Sequence, residues 1–356
     1  MATRDSRGIP SITARESHIM NIEIAVPGSV ANLGGGFDTL AVAVQLYLRA
    51  RIVDVRADGG SRLVVVNSRP PVSGDNIVER AFAAIARRVG RDVGNVVGNS
   101  VPSVFVEVDS DIPMAAGLGS SAAAAIAGVR VFEHVAGPVP ESTLLAVAAS
   151  IEGHADNAAA SLLGGLTSVV ETSPPSPPGG FGEAGPPSPG GFGEAGTEVQ
   201  VLRWRWPEDL RLIVATPCAG LATSTARAAL APSVSRNDAV FNLQRVLSLV
   251  HALQHGEYER LRDALQDRWH QPARAALVPH LGAALAIDDP DVLGACLSGA
   301  GPSVAVLARR DFARVERLLQ AACEAAGSPV TVRTLAVHQS PNVMRDAMAS
   351  AHGRTT

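Results

Sequence analysis

The chain has 356 residues, 46% hydrophobic and 18% charged, with a formal net charge of −4; this is too long for one ordinary core, about right for two, and apolar enough to bury both. The weak negative charge argues against broad binding to nucleic acid or an anionic membrane, and no apolar run approaches the roughly 18–20 residues that span a bilayer. All thirty basic residues are arginine, which excludes a Schiff-base lysine, the lysine of a GxxxxGK[ST] phosphate loop and the strand lysine of a protein kinase.

Any nucleotide phosphate must therefore be held by backbone N–H groups, a helix N-terminus, hydroxyls, arginine or a metal ion. In chain order, residues 1–19 carry Arg4, Arg7 and Arg15 but no apolar stretch of the kind a secretory signal needs, and read as a loose extension. Asn21 to Val26 alternates as a strand, and a Gly-rich loop is expected at 27–37. Strands follow at about 42–54 and 62–66. Asp75 is the expected N-cap of a helix whose apolar stripe runs from Ile77 to Val89. Ser103 to Val108 is a further strand. A Gly/Ser loop at 115–121 opens an alanine-rich helix to about 136, Ser142 is the expected cap of the next helix, and Leu166 to Val170 returns to strand.

Residues 174–185 read PPSPPGGFGEAG and residues 186–196 read PPSPGGFGEAG, a tandem duplication. Such Pro/Gly composition cannot bury enough apolar surface to offset its ordering entropy, so 173–197 is expected to be a surface insert. Beyond it, strands are expected near 199–205, 211–216, 292–298, 303–308 and 329–337. Helices are expected near 224–230, 237–254, 257–270 and 311–325, with a Gly turn at 299–301. Strands and helices mix without regular alternation, which predicts an α+β fold. The expected division is a nucleotide-binding unit over 20–172, a second unit over 198–340 and a tail over 341–356. Cys218, Cys296 and Cys323 lie far apart in apolar sequence with no CxxC pair; a zinc site or disulfide framework is not expected, and a reducing cytoplasm is.

Ile112–Ala125, IPMAAGLGSSAAAA, carries the most chemistry. Gly117 and Gly119 allow close backbone approach, and Ser120 and Ser121 stand where a helix N-terminus favours an anion. That is a phosphate cradle needing no lysine; a Gly/Ser helix cap without a ligand is the bland alternative.

This segment resembles the PxxxGLGSSAA motif of the galactokinase–homoserine kinase–mevalonate kinase–phosphomevalonate kinase (GHMP) superfamily. Two more segments match in order. VPGSVANLGGGFDTLAVAV (Val26–Val44) resembles the first motif of the homoserine kinases, and LSGAGPSVAVL (Leu297–Leu307) resembles the third. EGHADNAAASLLGGL (Glu152–Leu166), DRWHQPARAALVP (Asp267–Pro279) and the arginine of TSTARAAL (Thr223–Leu230) resemble homoserine kinase segments in particular. The departures are the N-terminal extension, the insert, Gly35 at a common proline, and Met114, Ala115 and Ala116 in place of Leu-Gly-Arg, which takes an arginine away from the phosphates.

The resemblance implies a two-domain fold with the active site in the cleft between domains, binding ATP, Mg2+ and L-homoserine on the route to threonine. It implies a nucleotide segment Pro113, Met114, Ala115, Ala116, Gly117, Leu118, Gly119, Ser120, Ser121 and Ala122. Asn32 and Asp38 would take the substrate ammonium, and Arg227 and Arg274 its carboxylate, as planar guanidinium forks suit. Glu152 with Ser120 or Ser121 would hold magnesium, which needs few protein oxygens. His154, Asp156 and Asn157 fall beside the reacting hydroxyl, Asp156 as base or as an orienting group. His270 and Gln271 are expected to set Arg274 in place, and the tryptophans to pack. A kinase for another small alcohol and a catalytically silent ligand sensor remain alternatives, and a homodimer is left open. A dinucleotide-binding turn is disfavoured because Gly34–Gly36 lacks the G-x-G-x-x-G spacing.

Overall fold

The computed structural model describes residues 22–58, 60–72, 74–92, 101–172 and 198–339. The expected N-terminal extension, the duplicated insert at 173–197 and the tail lie outside the described residues.

The first half builds β1 (Ile22–Ala31), β2 (Leu40–Arg56), β3 (Leu63–Arg69), α1 (Ile77–Asp92), β4 (Ser103–Ser110), α2 (Ser120–Ala136), α3 (Glu141–Glu152), α4 (Asp156–Leu163), β5 (Leu166–Thr172) and β6 (Glu198–Trp204). The six strands form one sheet ordered β3-β4-β2-β5-β6, with β1 paired antiparallel to β2. β1 runs past the expected loop start at residue 27 to Ala31, because a register shift between Pro27 and Gly28 lets the strand tolerate a proline that lacks a ladder donor. Asn76, rather than Asp75, caps α1: its Oδ1 accepts from the Val78 N–H at 3.0 Å, while Asp75 pairs with Arg80 at 2.6 Å. α3 starts at Glu141 after Pro140 without the expected Ser142 cap. α2 is alanine-rich because it is the central helix; Ala122, Ala123, Ala125 and Ala127 are fully buried, and only small side chains permit that approach on several sides.

The second half builds β7 (Arg211–Pro217), α5 (Thr223–Ala228), α6 (Arg236–His255), α7 (Leu261–Ala264), α8 (His270–Arg274), α9 (Leu281–Leu285), β8 (Val292–Leu297), β9 (Val304–Ala308), α10 (Phe312–Ala325) and β10 (Val330–Leu335). The antiparallel sheet is ordered β10-β7-β9-β8. The sequence division at residue 198 is misplaced: β6 pairs with β5 from Leu166–Trp204 to Thr172–Glu198 and so completes the first sheet. That register also brings residues 172 and 198, the two ends of the insert, opposite one another.

Both faces of the second sheet are covered, which explains its near-continuous apolar strands. Alternate residues of β7 separate into two cores. Leu212 and Val214 join the large core that includes Leu249 and Leu253 of α6, while Ile213 and Ala215 face Leu281 of α9 and Val315 and Leu319 of α10. An isolated bridge between Val44 and Val337 ties the two sheets together. The single expected helix over 257–270 is instead a 3-10 turn (Tyr258–Arg260), α7, a reversal and α8. Of the cysteines, Cys296 and Cys323 are buried and Cys218 is exposed. Among the described residues, no helix is long and apolar enough to cross a membrane.

Candidate active site

The three ordered motifs, far apart in sequence, meet at one place. The backbone N–H of Ser29 in β1 donates to Leu118 O at 3.0 Å, and that of Gly299 to Ala31 O at 3.1 Å. Ser298 Oγ donates to Gly117 O at 2.7 Å, and the Ser303 N–H to Ala116 O at 3.2 Å. The turn between β8 and β9 is therefore seated on the phosphate loop and on the end of β1. Gly117 (φ +76°) and Gly119 (φ +69°) cannot be replaced there. A Cβ would lie 2.3 Å from Ser298 O at the first and 2.2 Å from Ser29 Oγ at the second.

A cavity of about 100 Å3 opens over this junction. Its walls include Asn32, Asp38, Ala115, Ala116, Gly117, Gly119, Ser120, Ser121, Glu152, His154, Asp156, Asn157, Arg227 and Arg274, so most of the residues expected from sequence are brought together. Leu118 and Ala122 are not among them: their side chains are buried in the core, leaving only their backbones for a ligand. Pro113 lines neither this cavity nor its neighbour.

On one wall, Asn32 (φ +72°) holds the loop in shape: its Nδ2 donates to Gly299 O at 2.8 Å, and its Oδ1 accepts from the Asp38 N–H at 3.1 Å. Asp38 accepts from both terminal nitrogens of Arg227, at 2.9 and 2.8 Å. Arg274 is buried and committed: Nε donates to Ala226 O at 3.1 Å, and Nη1 to Gly299 O at 3.1 Å and His270 Nδ1 at 3.3 Å. Burial, then the charge of Arg227, lowers the Arg274 pKa from its ordinary value. Phe37 supports both guanidiniums, with Arg227 Cζ 5.7 Å and Arg274 Cζ 5.3 Å from its ring centre. Trp269 and His270 pack on the same ring at 4.9 and 5.4 Å. His270 thus positions Arg274 as expected, and Gln271 Oε1 accepts from the Leu297 N–H at 2.7 Å, fixing α8 to β8.

On the opposite wall, Asp156 Oδ1 binds His154 Nδ1 at 2.8 Å and accepts from the Asn157 N–H at 2.7 Å. Burial alone would lower the His154 pKa, but the hydrogen bond and charge of Asp156 outweigh it and raise it. Ser29, absent from the sequence-based site, donates from Oγ to Asn157 Oδ1 at 2.8 Å. Ser121 Oγ donates to Glu152 Oε1 at 2.5 Å at the start of α2. Burial raises the Glu152 pKa, against lowering effects from the Ser121 hydrogen bond and the charges of His154 and Arg80.

A second, more apolar cavity of about 340 Å3 shares Ala115, Ser120 and Ser121 with the first. Leu48, Pro70, Val72, Val78, Val108 and Met114 line it. These residues come from β2, the β3–α1 connection, α1, β4 and the phosphate loop, and apart from Met114 the sequence motifs pass over them.

The family models for the GHMP kinases N terminal domain and the GHMP kinases C terminal domain match residues 76–165 and 249–327. The chain is 34% identical over 304 residues to the homoserine kinase of Solibacter usitatus, covering 83% of this chain and 88% of that one. It is 37% identical over 283 residues to the homoserine kinase of Deinococcus radiodurans, covering 79% and 82%. Among solved structures, the homoserine kinase of Cytophaga hutchinsonii has the same fold, with a TM-score of 0.69 at 23% identity over 92% of this chain and 98% of that one. The mevalonate kinase of L. major, at 15% identity over 91% and 99%, has a TM-score of 0.61. The extent of these matches, on a two-domain α+β fold whose ordered motifs converge on one cleft, establishes that the chain belongs to the homoserine kinase family of the GHMP kinases and is a small-molecule kinase.

Proposed function

We propose that this protein transfers the γ-phosphoryl group of ATP to the hydroxyl of L-homoserine, releasing ADP and O-phospho-L-homoserine on the route to threonine. The observation that carries the substrate is the charge pattern of the cleft wall. Asp38 offers a carboxylate to an ammonium, and Arg227 and Arg274 offer two guanidiniums to a carboxylate, all lining one small cavity. Sugars and mevalonate lack the ammonium that Asp38 would match.

The Gly117–Ser121 segment would take the phosphates, since the first N–H groups of α2 have no partners within the helix. The apolar cavity beside it suits the nucleotide base, which needs a flat apolar slot more than charge. Glu152 and Ser121 fit a hard divalent cation: both donors are oxygen, and they converge at the start of α2 on the wall of the cavity. Among the described residues no three His, Cys, Asp or Glu converge into a protein-only cage, so such an ion would share phosphate and water oxygens. Magnesium there supplies neutralisation of charge on the β- and γ-phosphates.

Asp156 acts as an orienting group. Its Oδ1 is engaged by His154 and by the Asn157 N–H, so the carboxylate ties the imidazole and the start of α4 together. Asn157 lines the cavity with its Oδ1 held by Ser29 at 2.8 Å and its Nδ2 at 3.4 Å from Asp156 Oδ1, which leaves one amide N–H to donate to the attacking or transferred oxygens. Rate enhancement then comes from positioning and charge stabilisation, as phosphoryl transfer permits without a dedicated base.

The test is product identity. With Mg-ATP and L-homoserine, phosphorus NMR should show a phosphate monoester coupled to the terminal methylene protons. Phosphate release without that ester would contradict the proposal.

A further inference from the structure

We infer that the cavity behind α8 is a regulatory site for a small monocarboxylate with an apolar body, coupled to the substrate cleft through Arg274. The inference goes beyond the proposed reaction, and only its kinetic readout rests on the homoserine reading. The cavity measures about 510 Å3, within the range of small-molecule sites and larger than the catalytic cavity. Its floor is apolar: Leu265, Leu281 and Val292 are almost fully buried, and Ile287 completes it. Leu285 stands on the same wall with 39% exposure, apolar surface that an occupant would cover. Three charged side chains face the cavity. Arg262 is committed to the carbonyls of Ile287, Asp289 and Val292, at 2.8, 3.0 and 2.8 Å, and lies 3.7 Å from Asp288. Asp267 is committed to Asn242 Nδ2 and to two backbone N–H groups. Arg268 is the available one. Its Cζ lies 3.9 Å from the centre of the Phe241 ring, and among the described residues no carboxylate pairs with it.

A guanidinium held over an aromatic face keeps the N–H groups at its edge for a second partner. One such fork matches one carboxylate, whereas a phosphate would bring a second charge with no free cation to meet it. An amino acid would have to bring its ammonium over the apolar floor, at a desolvation cost. The ligand is therefore an amphiphile with a single negative charge. α8 and the turn before it form the wall shared by the two cavities: Asp267 and Gln271 line this one, and Arg274 lines the cleft. Gln271 hooks the helix to the Leu297 N–H, and His270 contacts both Gly34 O and Arg274. An occupant packed against this wall adds contacts only to the seated arrangement of α8, so it favours the state in which Arg274 reaches the cleft. By linkage, substrate favours the occupant by the same factor.

The probe is octanoate, with 1-octanol and octylamine as the same chain without the charge or with it reversed. Calorimetry on the full-length protein should show octanoate binding, with both analogues at least about tenfold weaker, the worth of one charge-assisted contact. Arg268→Gln should weaken octanoate to the level of 1-octanol. It should leave the basal kcat unchanged, since Arg268 lines the second cavity and not the catalytic one. With octanoate present, the wild-type KM for L-homoserine should fall at least about fivefold while that for ATP holds. Octanoate that does not bind, or that binds wild type and Arg268→Gln equally, overturns the site. Octanoate that binds through Arg268 and leaves the KM for L-homoserine unchanged overturns the coupling. Dimerisation that Arg268→Gln abolishes, without octanoate binding, would assign the cavity to a second copy of the chain and overturn the inference as well. A protein that does not turn over L-homoserine fails the substrate reading instead, and octanoate binding then decides the site by itself.

Discussion

Ser29 Oγ donates to Asn157 Oδ1 at 2.8 Å, joining β1 to the start of α4 across 128 positions of sequence. Ser29 is fully buried, its N–H holds Leu118 O, and its hydroxyl lies where any Cβ on Gly119 would have to go. One small side chain therefore sets both the phosphate loop and the direction of the Asn157 amide.

Ser29→Ala should leave Asn157 free to flip and its oxygen without a partner. The expected result is a fall in kcat of about tenfold or more, with the KM for ATP nearly unchanged, because the loop backbone bond at Ser29 survives. Stability should drop by about 0.5–1.5 kcal/mol, the net worth of one hydrogen bond, since the half-buried Asn157 oxygen can turn to the cavity. Steady-state kinetics separate this from a packing role, which would change stability without the kcat effect.

Glu152→Gln keeps shape and hydrogen bonding to Ser121 but removes the charge that would draw a cation. We expect kcat to fall about 100- to 1000-fold, with more magnesium needed for half-maximal rate, while L-homoserine binding measured by calorimetry persists. A magnesium titration of rate for both proteins checks this. Unchanged kcat and magnesium dependence would remove Glu152 from the metal site.

His270 is buried, with Nε2 at 2.8 Å from Gly34 O and Nδ1 accepting from Arg274, an arrangement that requires the neutral ring. Desolvation depresses its pKa, against a raising effect from Asp267. The unfolded chain takes up a proton near pH ~6.5 and the folded chain resists it. The neutral form therefore stabilises the fold above the unfolded pKa, and that contribution is lost as pH falls from there toward the depressed folded value. The melting temperature of wild type should decline between pH 7.5 and 5.5 more steeply than that of His270→Gln, with Gln lower in absolute terms. Parallel curves would show that His270 does not titrate between the folded and unfolded states.

Ala115 has φ +51°, a left-handed conformation that costs an L-residue with a Cβ about 1–2 kcal/mol. Glycine at this position relieves that cost and loses about 0.4–1 kcal/mol through the unfolded chain. Ala115→Gly should therefore keep or slightly raise the melting temperature, whereas alanine to glycine inside α2 should lower it. A loss of several degrees at position 115 would mean that contacts of the Ala115 methyl, such as that facing Gly220, outweigh the backbone term.

Local pattern revealed the phosphate loop, α2 and the strands of the second sheet, because period and turn chemistry there agree with the packing. It failed where a long-range contact decides. The helix expected over 257–270 breaks because the Asp267 carboxylate accepts from Asn242 Nδ2 at 2.6 Å, the Trp269 N–H at 2.9 Å and the Gln271 N–H at 2.7 Å, which reverses the chain and sends Arg274 into the cleft. The short α4, opening on Asp156, gives too few turns for a periodic signal. Asp38 and Arg227 were legible as charges suited to an amino acid, but their bond to each other was not, since nothing local links residues so far apart. Ser29 reads as an ordinary strand residue until β1 is laid against the Gly119 turn. The apolar cavity beside the phosphate loop was not legible because its lining comes from several separate segments, most of them outside the motifs.

The central claim is that the cleft phosphorylates an amino-acid alcohol. The most direct measurement is the rate of ADP release with Mg-ATP across L-homoserine, galactose and mevalonate, reported as kcat/KM. The charge pattern of Asp38, Arg227 and Arg274 predicts that L-homoserine exceeds both alternatives by at least about tenfold, the worth of one charge-assisted contact. Galactose or mevalonate turned over as well as L-homoserine, or better, would leave the fold and family standing and contradict the assigned substrate.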